Sequence, residues 1–171
     1  MTSEIEQIEA AKEVLEGTIR ELYESCSLIV DNYWTVLIQL EKARPGWEHK
    51  SKLKLRCGLT GNSIRADWNA VTWRGKKNGK FFDVTKSISK PQGKYGYTLT
   101  KLYSYAHEWE KPLIEETEEK LEMIRRESYH LNGALKSIRY ALEIAKKREE
   151  LISTQLAFDS SQRKRMLQSN F

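Results

Sequence analysis

An α+β fold is predicted: two long antiparallel helices, a coiled-coil-like hairpin, carrying an inserted three-stranded antiparallel β-sheet. Three observations lead there. Apolar residues recur in steps of three and four over residues 4–43 and again over 112–158, the spacing of a helix that packs along its length. Between these arms the period falls to two, the mark of strands with one covered face. Charge is sorted in the same way. Residues 1–43 hold 9 acidic and 3 basic side chains, 44–106 hold 14 basic and 3 acidic, and 107–171 hold 12 of each.

The seam of the first arm runs Ile5, Ile8, Leu15, Ile19, Leu22, Cys26, Ile29, Tyr33, Val36 and Leu40, with Lys12 the one polar break. At about 1.5 Å per residue such a helix reaches roughly 60 Å, and it needs a partner to cover its seam. Gly17 within it costs about 1 kcal/mol against Ala. The second arm supplies that partner through Ile114, Thr117, Leu121, Ile124, Ser128, Leu131, Leu135, Ile138, Leu142, Ala145, Ile152 and Leu156. Pro112 suits a first helical turn, and Glu115, Glu116, Glu118 and Glu119 suit the positive end of the helix. A homodimer through the same seams satisfies the pattern equally.

The inserted sheet opens with Lys52–Cys57, strictly alternating, and continues after Leu59-Thr60-Gly61-Asn62 with Ser63–Trp68. A two- or four-residue loop there pairs Cys57 with Ile64, Leu55 with Ala66 and Leu53 with Trp68, leaving Lys52, Lys54, Arg56, Arg65 and Asp67 on the polar face. A second hairpin joins 69–74 to 81–89, with Asn78-Gly79 as a type I′ turn signal. A tight turn pairs Val71 and Trp73 with Lys86 and Val84, which reverses the apolar face. Either a bulge near Asn69-Ala70 restores it, or a three-residue loop shifts the register and leaves Trp73 on the basic face. Lys90–Tyr97 reads as a loop, and Thr98 caps a short helix through Leu99, Leu102, Tyr103 and Ala106.

One domain is expected over residues 1–158: arms 4–43 and 112–158, a basic β insertion 44–97 and a short helix within 98–110. Residues 159–171 lack an apolar period and contain Arg163-Lys164-Arg165, so they read as a flexible basic tail. No run of about 18 apolar residues offers a membrane span, and the acidic N-terminus is unlike a secretory signal. Cys26 and Cys57, without CxxC or histidine neighbours, suggest a reducing cytoplasm and packing roles.

No catalytic or metal site is expected, and no cofactor. His49, His107 and His130 stand apart from one another and from other ligands, whereas metal chemistry needs clustered donors. No phosphate-cradling glycine loop is present. Tyr95 and Tyr97 lack a neighbouring base cluster that would make either a nucleophile. The basic insertion instead offers binding chemistry. Lys52, Lys54, Arg56, Arg65, Arg74, Lys76, Lys77, Lys80, Lys86 and Lys94 can track phosphates, while Trp73, Phe81 and Tyr97 can stack on bases or wedge a groove.

These segments resemble a known family. Asn32-Tyr33-Trp34, Asn62–Trp68, Lys94–Tyr97, Trp109-Glu110 and Ile124-Arg125-Arg126-Glu127 are similar to words in the MobI-type accessory proteins of bacterial conjugative elements, over roughly residues 30–130. The resemblance implies a DNA-associated role at the origin of transfer, beside a relaxase that is a separate protein. It brings no residue-level site. The expected partner is therefore DNA, duplex first, with a relaxase or other transfer protein beside it. The rival readings are a protein–protein adaptor using the helical hairpin and basic sheet, and an RNA-binding module.

Overall fold

The computed structural model describes residues 3–168. In chain order the elements are α1 (Glu4–Lys42), β1 (Leu53–Thr60), β2 (Ser63–Lys77), β3 (Lys80–Ser87), α2 (Leu99–Tyr103) and α3 (Lys111–Gln168), with 3-10 turns at Trp47–His49 and Glu108–Glu110. The fold is α+β, as expected, with one antiparallel sheet in the order β1-β2-β3. The chain forms two compact units, residues 17–132 and residues 1–16 with 133–171.

In the unit of residues 17–132, β2 is the central strand and α1 and α3 supply the helical cover. Tyr33 meets Trp68 edge to face, with ring centroids 5.1 Å apart, and both are fully buried beside Leu37, Leu53, Leu55, Leu102, Ile114 and Leu121. Trp34 closes the open edge of β1 by donating its indole N–H to the Leu55 carbonyl at 3.1 Å. The buried line of α1 runs Ile19, Leu22, Cys26, Val30, Tyr33, Leu37; the expected Ile29, Val36 and Leu40 are only half-buried. Past Cys26 the helix faces the sheet on one side while Leu28, Ile29 and Asn32 share a groove with Leu113, Glu116, Thr117 and Lys120 of α3 on another. A helix meeting two surfaces buries a wider stripe than a two-helix seam.

The first hairpin keeps the expected faces but not the expected register. Observed partners are Leu53↔Ala70, Leu55↔Trp68, Cys57↔Ala66 and Leu59↔Ile64, two residues along from the sequence reading. The turn is Gly61-Asn62 alone, with Gly61 at φ 59° in the first central position of a two-residue turn. Leu59 and Thr60 thus extend β1. A slip of two leaves every side chain on its own face.

The second hairpin turns tightly at Asn78-Gly79, where both residues have positive φ, 51° and 79°, as a type I′ turn demands. The pairing Trp73↔Val84 holds, but Val71 lies opposite Thr85 and Ala70 opposite Lys86. The extra residue is Thr72. The compensating bulge therefore sits at Thr72 rather than near Asn69-Ala70, and the three-residue loop is not used. Thr98 makes no side-chain cap for α2; its carbonyl accepts the N–H groups of Lys101 and Leu102 instead.

The unit of residues 1–16 and 133–171 is built of the start of α1 and the later part of α3. Ser3 and Glu6 form a reciprocal capping box: Ser3 Oγ accepts the Glu6 N–H and Glu6 Oε2 accepts the Ser3 N–H, satisfying two donors at the start of α1. Ion pairs Glu4–Arg148, Glu9–Lys146 and Glu16–Arg139 run in opposite sequence directions, so the two segments are antiparallel. Leu135 and Ala145 are buried, but Ile152 and Leu156 are exposed, contrary to the seam reading. The expected tail past 158 is helical as far as Gln168. No Gly or Pro follows Gly133 to stop α3, and the side chain of Gln155 bonds that of Asp159 one turn on. Residues 169–171 of the expected tail lie outside the described residues.

Candidate nucleic-acid interface

Cross-strand partners in a sheet share a face, and alternate residues along a strand return to it. The register therefore assigns Lys54, Arg56, Arg65, Asp67, Arg74, Lys76, Phe81 and Asp83 to the face turned away from Trp68. The strands place these cations because Leu53, Leu55, Ala66 and Trp68, which alternate with them, are buried.

Of the expected binding residues, Lys52, Arg56, Arg65, Lys76, Lys77, Lys80, Lys86 and Lys94 are exposed. Lys54 and Arg74 are committed elsewhere. Lys54 Nζ lies 2.7 Å from Asp83 Oδ2, and Arg74 donates Nε to Asp83 Oδ1 at 2.8 Å and Nη2 to Oδ2 at 3.3 Å. Arg74 Nη2 also bonds the Ser51 carbonyl at 2.9 Å. Burial alone would raise the Asp83 carboxyl, but the hydrogen bonds from Arg74 and then Lys54 outweigh it and hold the group below its ordinary range. This clamp braces the hairpin against the chain entering β1.

Tyr97 is buried, 7% exposed, so its ring is not open to a base. Its hydroxyl donates to Asp67 Oδ1 at 3.1 Å, and its ring carries Arg125 at 5.0 Å and Lys90 at 5.3 Å. Burial, then the Asp67 charge, pushes its phenol up. Burial and then the Arg125 charge push Lys90 down. The register places Lys86 on the opposite face from Arg56 and Arg65, since it pairs with the buried Ala70. The expected cations of the sheet and its hairpin therefore fall on two opposite faces.

The sequence reading missed the buried pair that locks this arrangement. Arg125 and Glu118, side chains 5% and 4% exposed, meet at 2.8 Å. Glu118 Oε1 accepts the Tyr97 N–H at 2.7 Å and Oε2 accepts the Trp68 indole N–H at 2.6 Å. Arg125 also donates to the carbonyls of Ala66 and Tyr95, at 3.0 and 3.1 Å. Breaking such a pair by removing one partner costs on the order of 3–5 kcal/mol, because it strands a buried charge. A single line of side-chain spacing cannot announce it. Glu118 and Arg125 sit seven apart on one helix face, but so do many solvated pairs.

Two aromatic groups mark the sheet's far end. Trp47, from the turn before β1, lies 5.6 Å from Phe81, with Arg74 6.0 Å over the Trp47 ring and Lys76 5.7 Å over Phe81. Trp73 and Phe82 are 4.9 Å apart. Trp47, Phe82 and Val84 had no place in the expected site. The two cysteines, far apart in sequence, face each other with Sγ atoms 3.1 Å apart, and burial pushes the Cys26 thiol up to about 12.

Among the described residues no helix is long and apolar enough to cross a membrane. A family model described as MobI protein matches residues 22–139 of the chain. No curated protein matches, and no solved structure does.

Proposed function

This chain belongs to the MobI family of conjugative mobilisation proteins, and on that premise we propose that it is a non-enzymatic accessory factor that binds duplex DNA. It acts at the origin of transfer beside a relaxase that is a separate protein. The observation that carries the reading is the exposed outward face of the sheet, where Arg56, Arg65 and Lys76 stand in line with Lys52 at its entrance. Such a ribbon of cations suits a phosphate backbone, and two antiparallel strands fit a major groove. The long helices, taken as a coiled-coil-like hairpin, hold the sheet and offer a surface to protein partners.

The test is an electrophoretic mobility shift with duplex DNA at two salt concentrations. Affinity should fall steeply with salt. Replacing Arg56, Arg65 and Lys76 together by Ala should reduce the magnitude of the log–log salt slope by about 3, since each phosphate contact releases close to one counterion. Lys54 and Arg74 are left alone, because Asp83 already occupies them. An unchanged slope in the folded triple variant would sink the duplex reading and favour the protein adaptor.

A further inference from the structure

The opposite face of the same hairpin carries a second chemistry. Trp73 pairs with Val84, Gly75 with Phe82 and Lys77 with Lys80, while Lys86 pairs with Ala70. Positions 73, 75 and 77 alternate along β2, as do 80, 82, 84 and 86 along β3, so all share one face. That face continues from Ala70 and Trp68, past the last side chain the helices bury. Trp73 is consequently 46% exposed, Phe82 39% and Val84 46%. Large apolar side chains left open in a group mark a binding surface rather than a leftover of folding.

The rings are held in place. A Cβ at Gly75 would collide with the Trp73 indole, so the ring lies down against the strand where only a glycine leaves room. Phe82 then abuts it at 4.9 Å with planes inclined by 47°. The Trp73 ring thus packs over Gly75, and close to half of the residue stays open to solvent. Lys77, Lys80 and Lys86 rim the patch and are all exposed. Asp83, the only carboxylate between Asp67 and Glu108, belongs to the other face and is held by Lys54 and Arg74.

We propose that this Trp73–Phe82 face, rimmed by Lys77, Lys80 and Lys86, is a stacking platform for the unpaired bases of single-stranded DNA. The inference rests on the DNA reading above but uses the face that reading leaves unused. An exposed aromatic ring can stack on the face of a base only where the base is unpaired, because in a duplex those faces are already stacked. Stacking on aromatics between cations is the recurrent means of holding single strands. A protein partner fits the rim poorly, since lysine is depleted at protein interfaces.

The experiment measures fluorescence anisotropy of labelled oligothymidylate, oligouridylate and duplex DNA on the full chain. The variants are Trp73→Ala, Phe82→Ala, Trp73→Phe and Trp73→Leu. Removing either ring should weaken oligothymidylate binding about tenfold or more, leave duplex binding within about twofold, and leave the melting temperature near that of the parent. Trp73→Phe should retain most of the single-strand affinity and Trp73→Leu should lose it, which decides the matter even if an Ala variant unfolds. Equal affinity with Phe and Leu would point to an apolar docking patch and overturn the platform. A tenfold preference for oligouridylate would overturn the assignment to DNA. Duplex binding without any oligothymidylate binding would overturn the platform and leave the duplex reading standing; binding to neither would overturn both.

Discussion

Glu110 sits in an environment at odds with its chemistry. It is fully buried, receives the Ser51 hydroxyl at 3.2 Å on Oε2, and its Oε1 has no hydrogen-bond partner among the described residues. Burial pushes its carboxyl up to about 7. The folded protein thus holds a proton that the unfolded chain releases near pH 4.5, so stability falls as pH rises between those values. The contribution is complete below about pH 4.5 and lost through pH 7. Glu110→Gln should flatten that slope and stabilise the fold at pH 8, by on the order of 3 kcal/mol at most. Thermal melts of both proteins at pH 5 and pH 8 check it; parallel curves would refute a protonated Glu110. Nothing in the sequence singles out Glu110 from its eleven acidic neighbours after residue 106, because its burial arises from packing around Ser51, a contact across 59 positions.

At the scale of elements, the boundaries of the two compact units fall at helical glycines, Gly17 and Gly133. A Cβ at either would meet nothing within 4 Å. Each therefore carries the helix penalty of glycine without a packing reason for it. Gly17→Ala and Gly133→Ala should each stabilise by about 0.5–1 kcal/mol, read as a shift in denaturant midpoint without change of slope. The helices and both hairpins were legible because three-four and two-fold periods survive tertiary packing. The bulge was not legible in position. An extra residue in a strand leaves no local signature when Thr, Trp and Val all favour strands, so Thr72 emerged only from the pairing. The face of Trp73 was undecidable for the same reason, while Trp68, flanked by alternation on both sides, was assigned to the core it occupies.

For the whole molecule, the family match over residues 22–139 lies largely on the unit of residues 17–132. That unit contains the sheet, both cationic faces and the Glu118–Arg125 lock. A fragment of residues 17–132 should fold cooperatively, retain the near-ultraviolet signal of its buried Trp68, and bind duplex DNA with the salt slope of the full chain. A fragment lacking a cooperative transition would show that the sheet depends on the remaining helices. Charge segregation, visible at once in the sequence, announced which segment would carry such faces. It could not divide the cations between two faces, since that division depends on register and on one bulged residue.

The ion pairs Glu4–Arg148, Glu9–Lys146 and Glu16–Arg139 join positions 144, 137 and 123 residues apart. During synthesis the first partners leave the ribosome long before the second exist. The sheet-bearing unit, contiguous in sequence, can close while translation continues; the other must wait for the later part of α3, its acidic half meanwhile open to whatever polycation is near. Assembly is thus expected to be vectorial, the contiguous unit closing before the one whose halves come from opposite ends of the sequence.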